Sequence, residues 1–109
     1  LSKVMKKLAI HWTPMAKIQY SEVITFWIEK TETISYVEKI QKEVAYSLEL
    51  LSEFPKMCPI FPKRSNKDIR QLIILTNYSI FYRIIEDKEE IEIVLFWDNR
   101  TNPKKLRFN

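Results

Sequence analysis

Three apolar, alternating runs follow one another with short links: Ile69 to Leu75, Tyr78 to Ile85 and Ile91 to Trp97. Alternation with a period of two, in residues rich in Ile, Tyr, Phe and Val, is the pattern of half-buried strands. The links at Thr76-Asn77 and Glu86 to Glu90 allow only antiparallel hairpins. The expected strands are 68–75, 78–85 and 91–98. The last run closes in Phe96-Trp97-Asp98-Asn99-Arg100-Thr101-Asn102-Pro103, which places polar groups at the rim of a sheet, where binding groups often sit. Phe96 and Trp97 are neighbours on a strand and face opposite sides, so at least one belongs to the core. The chain contains no glycine. Turns must therefore be made by Asn, Asp, Pro and Ser, and Asn77 is the natural residue for a positive φ. A glycine-free chain has no P-loop and no dinucleotide fingerprint.

The first half reads differently. Leu8, Ile10 and Trp12 alternate with Ala9 and His11 in a short strand. Thr13-Pro14 then opens a helix, Thr as N-cap and Pro at the first helical position. Tyr20, Val23, Ile24, Trp27 and Ile28 form its apolar face, over about 14–31. Ser35-Tyr36-Val37-Glu38 has capping-box spacing. Val37, Ile40, Val44, Leu48 and Leu51 follow at intervals of three and four, so a second helix is expected over 35–54, stopped by Pro55. A loop with Pro55, Pro59 and Pro62 leads to Lys67. The resulting fold class is α+β: an antiparallel helical hairpin packed on one face of a four-stranded, mostly antiparallel twisted sheet, in the order β-α-α-β-β-β, with the other face partly open.

A chain of 109 residues supports one domain and one core. It is expected over 5–103, with 1–4 as upstream residues and 104–109 as a basic tail. No apolar run reaches the ~18 residues of a membrane helix, and Leu8 to Trp12 is too short for a signal peptide. The single cysteine, Cys58, fits a reducing compartment, and a cytoplasmic location is expected. One His and one Cys are too few for a metal ligand set. His11 is assigned a structural role, because its distance in sequence from the basic clusters gives it no catalytic partner.

The net charge of +4 is uneven. The first 54 residues hold seven Lys and seven Glu, so the excess lies in the second half. It gathers in two clusters: Lys56, Lys63, Arg64, Lys67 and Arg70, then Arg100, Lys104, Lys105 and Arg107. Such clusters point to an anionic partner or to an ordinary solvated surface.

The order of elements, read with its residues, resembles the RelE/ParE superfamily of toxins from bacterial type II toxin–antitoxin modules. The resemblance is carried by Trp12-Thr13-Pro14 with Ala16, by Leu50-Leu51-Ser52-Glu53-Phe54-Pro55, by Ile69-Arg70, by Tyr78 to Ile84, and by Phe96 to Pro103. It implies a cognate antitoxin partner in a hetero-oligomer, no cofactor, and one of two activities. RelE-like members cleave messenger RNA on the ribosome through 2′-hydroxyl attack, without metal. ParE-like members inhibit DNA gyrase by binding.

For RelE-like chemistry, Arg100 matches the arginine after the fourth strand, and Arg70 falls near the basic position of the second. Ser79 stands where the third strand carries an arginine, and no Tyr or His follows Arg100. A set lacking an acid and a cation favours the ParE-like branch. A degenerate, non-toxic member that keeps antitoxin binding is the third reading. Arg83, Lys63, Arg64, Lys67, Lys104, Lys105 and Tyr78 are the candidates for phosphate or target contact. Asp98, two residues before Arg100, offers that arginine a purely structural role.

Overall fold

The computed structural model describes residues 7–30, 34–62 and 68–108. Strand β1 (Ala9–Trp12) leads into helix α1 (Pro14–Lys30), then α2 (Ser35–Glu53), β2 (Arg70–Ile74), β3 (Tyr78–Ile85) and β4 (Glu90–Asp98). The sheet order is β1-β4-β3-β2. The meander β2-β3-β4 is antiparallel, and β1 joins its β4 edge in parallel. This is the expected mixed sheet with its helical hairpin.

Thr13 starts α1 as expected. Its Oγ1 accepts from Ala16 N–H at 3.1 Å and donates to the Val94 carbonyl at 3.0 Å. One side chain therefore caps the helix and fastens it to β4. Ala16, Ile40, Val44, Leu51, Leu72, Ile74, Tyr78, Ile80, Tyr82, Ile91, Ile93 and Phe96 form the core beneath the helices. Trp27 turns inward there, its Nε1–H donating to Tyr78 Oη at 2.7 Å. The adjacent Ile28, 100° further round the helix, is left exposed, against the expected apolar face.

Two further expectations are corrected. Ile34 is the N-cap of α2, with Glu38 N–H bonded to its carbonyl at 3.0 Å. Ser35 thus lies one residue too late to cap, and no capping box forms. Positive φ falls on Leu75 (48°) and Thr76 (68°), not on Asn77. Each such residue stores strain of order 1–3 kcal/mol. Asn99 offsets it: its Nδ2 donates to the Thr76 carbonyl at 3.0 Å and its N–H to the Asn77 carbonyl at 2.8 Å.

The second face of the sheet is partly open, as expected: Ile73 on it is exposed, while another part is covered. Ile69, Phe81 and Leu95 are buried under Phe61 from the proline loop and under Leu106 and Phe108 from the tail. Phe81 meets Phe61 and Phe108 at 5.0 Å between ring centroids, both edge-on. The proline loop also pairs with the sheet, Ile60 bridging Arg70.

Candidate functional site

Beyond Trp12 strand β1 ends, while β4 runs on to Asp98. The far half of β4 therefore faces α1 across a groove of about 500 Å³, lined among others by Glu22, Phe26, Trp27, Phe96, Trp97 and Arg100. Gln19 Oε1 accepts the Phe96 N–H at 3.0 Å, standing in for a strand partner. At the rim Arg100 is braced on two sides. Its Nε and Nη2 donate to the two oxygens of Asp98, each at 2.9 Å. Nη2 also reaches Tyr78 Oη at 3.3 Å, and the guanidinium carbon lies 5.7 Å from the Tyr78 ring centroid. The backbone N–H of Arg100 donates to the same carboxylate. Arg100 is thus fixed in direction while its side chain stays 54% exposed.

The other sequence candidates lie apart. Tyr78 is buried, its hydroxyl shared by Trp27 and Arg100. Arg70 donates through Nη1 to the carbonyls of Cys58 at 2.6 Å and Lys56 at 3.4 Å, holding the proline loop. It pairs with Tyr82, four residues along β3 from Tyr78. At ~3.3 Å per residue the two arginines are separated by roughly 13 Å along the strand. Arg83 is bonded to Glu92. Lys104 and Lys105 lie exposed in a 3-10 turn capped by Asn102. Lys63, Arg64 and Lys67 lie outside the described residues. Ser79 is fully buried, donating to Asn99 Oδ1 at 2.6 Å and accepting from Gln71 at 2.8 Å. That network, which sequence reasoning missed, couples β2, β3 and the turn carrying Arg100. Its one signal was polar residues at Gln71 and Ser79 within apolar runs.

Residues 10–103 match the model of the family described as ParE toxin of type II toxin-antitoxin system, parDE. The chain belongs to this ParE toxin family. Solved structures share its fold, among them the following two. One is of a chromosomal ParDE toxin–antitoxin system from P. aeruginosa, with TM-score 0.67 and 14% identity, covering 85% of this chain and 97% of that one. The other is the toxin-antitoxin complex RelBE2 from Mycobacterium tuberculosis, with TM-score 0.60 and 13% identity, covering 90% and 98%. No curated protein matches the sequence. Among the described residues no helix is long and apolar enough to cross a membrane, and no cluster of three or more His, Cys, Asp or Glu is placed to hold a metal ion.

The electrostatics of this ParE-family groove are set by the Arg100–Asp98 pair. Hydrogen bonding from Arg100 holds the Asp98 carboxyl below its ordinary value, against partial burial, which pushes it up. A lowered folded value stabilises above the unfolded one, ~3.9, and that contribution is lost as pH falls through the folded value. An NMR titration of the Asp98 side-chain carboxyl carbon is expected to give a midpoint below the reference, moving upward in Arg100→Ala. Equal midpoints in the two proteins would exclude the pairing in solution. Burial raises the Tyr82 hydroxyl and the Cys58 thiol, so neither is a ready nucleophile.

Proposed function

We propose that this chain is the growth-inhibiting toxin of a type II module, restrained by a cognate antitoxin in the cytoplasm, and that it acts in the ParE manner, by binding DNA gyrase. The observation that carries this reading is the state of the two arginines. Cleavage of messenger RNA by the RelE-like set needs cations converging on one phosphorane. Arg70 is spent on loop carbonyls and Arg100 is braced by Asp98, at different stations along the sheet. A rigid, half-exposed arginine at the rim of a groove lined by Phe26 and Phe96 is instead the composition of a protein-binding anchor. An apolar groove between the helices, about 570 Å³ and lined by Trp12, Tyr20, Ile24, Val44 and Leu48 among others, supports an antitoxin contact of the helix-in-groove kind.

The purified protein is expected to block supercoiling by gyrase in a dose-dependent way. Normal supercoiling at saturating protein would remove the proposal. Codon-specific cuts in translated messages would favour ribosome-dependent cleavage, and growth without arrest would favour a non-toxic member.

A further inference from the structure

Three neighbouring cations stand together without a counter-charge. Lys104, Lys105 and Arg107 are exposed, and among the described residues no carboxylate lies within ion-pairing distance of any of them. By contrast, Lys7, Lys56, Arg83 and Arg100 each face one. The sequence has no acid after Asp98. The backbone that carries the three is fixed. Asn102 accepts the Lys104 N–H on its side chain at 3.0 Å and the Lys105 N–H on its carbonyl at 2.9 Å, and Pro103 sets φ at the first position of the 3-10 turn. Leu106 and Phe108 then pack on the sheet against Ile69, Phe81 and Leu95, and Arg107 between them is left in solvent. Its Nη1 donates to the carbonyls of Lys104 at 2.6 Å and Leu106 at 2.8 Å. The guanidinium is thereby folded back on the turn that bears the lysines. Three of its five N–H groups keep no partner among the described residues.

We propose that this cationic turn is a contact for the phosphate backbone of duplex DNA, and that through it the chain holds gyrase together with the DNA on which gyrase works. The joint complex rests on the gyrase reading above; the contact with DNA does not. What surrounds the cations selects the partner. Single-stranded RNA is bound by cations beside exposed aromatic faces, and a membrane surface by cations beside apolar groups that enter it. Here both apolar neighbours, Leu106 and Phe108, are packed on the sheet, and only the cations reach solvent. Such a surface neutralises phosphates and reads no bases. A duplex carries one charge per ~1.7 Å of its axis, dense enough to meet three cations borne on four successive residues. Three contacts alone bind weakly. Lys104 follows Arg100 by four residues, so one complex can span the groove and the turn. Once gyrase is held at the groove, its DNA meets the turn at a high effective concentration, which strengthens a weak contact without new chemistry.

The test titrates the purified chain into a short fluorescent DNA duplex and follows anisotropy across a salt series, with single-stranded RNA of the same sequence and anionic vesicles beside it. Three phosphate contacts predict a slope of about −2.7 in log affinity against log salt, a loss of roughly 40-fold between 50 mM and 200 mM. The triple variant Lys104→Gln/Lys105→Gln/Arg107→Gln is expected to lose the duplex, with an unchanged melting curve because all three side chains are exposed. Lys39→Gln/Lys42→Gln removes two exposed charges from α2, on the other side of the sheet, and is expected to bind as wild type. No duplex binding at 50 mM salt, equal binding by the triple variant, an equal loss in the α2 variant, or tighter binding to RNA or vesicles overturns the proposal. A supercoiling assay then separates the two readings. The triple variant is expected to need at least ~10-fold more protein than wild type for half-inhibition, and equal potency overturns the joint complex. Normal supercoiling with saturating wild-type protein removes the gyrase reading instead, while the duplex titration decides the contact with DNA by itself.

Discussion

Arg100→Ala is expected to raise the concentration for half-inhibition of gyrase supercoiling by about 30-fold or more and to abolish growth arrest in cells. Anchor arginines at protein interfaces lose about 2 kcal/mol or more on truncation, and each ~1.4 kcal/mol is tenfold. The reason for expecting a large value lies in preorganisation. The two bonds to Asp98, the contact with Tyr78 Oη and the ring beneath fix the guanidinium before any partner arrives, so little rotamer entropy is lost on binding. Folding should be almost untouched, because the pair is largely solvated and exposed pairs contribute little. Arg100→Lys keeps the charge but not the fork-shaped contact with Asp98, and is expected to rescue only a small part of the loss. Wild-type potency in Arg100→Ala, with an unchanged melting curve, would remove the groove from the target interface.

How much of this was legible beforehand differs from element to element. Strand β3 was read at both ends, because its alternation is long and both links are short. The helices were read from apolar spacing and from Thr13-Pro14. What failed depended on tertiary geometry. Ser35 has the right neighbours for a capping box, yet α2 begins at Ser35 itself, with Ile34 as its N-cap. The positive φ values at Leu75 and Thr76 oppose local preference and persist because Asn99, more than twenty residues away, holds the turn. Arg70 and Arg100 both looked catalytic from their match to the basic positions of RelE-like members, but sequence carries no distance between stations on a sheet. His11 was set aside for its separation from other charge. Only the parallel docking of β1 on β4 brings it opposite Glu92, and nothing in either strand announces that register.

The second face supplies the other large effect. Phe81→Ala is expected to cost about 3–5 kcal/mol, the usual range for truncating a buried aromatic ring, out of the ~5–15 kcal/mol that holds a domain together. Phe81 is buried at the centre of a three-ring cluster in which Phe61 and Phe108 also meet, at 5.9 Å. Its loss leaves a cavity and removes the seat of the tail at once. Denaturant melts should show the full loss, and hydrogen exchange at Leu106, whose N–H bonds the Pro103 carbonyl, should accelerate before global unfolding. Phe108→Ala separates the two effects. It cuts only a half-buried ring at the end of the chain, so it should free the tail while costing a fraction of that stability. A tail that merely lay on solvent would leave both measurements unmoved in Phe108→Ala. Faster exchange at Leu106 in that variant would establish that the basic segment Lys104 to Arg107 is held against the sheet by its flanking apolar residues.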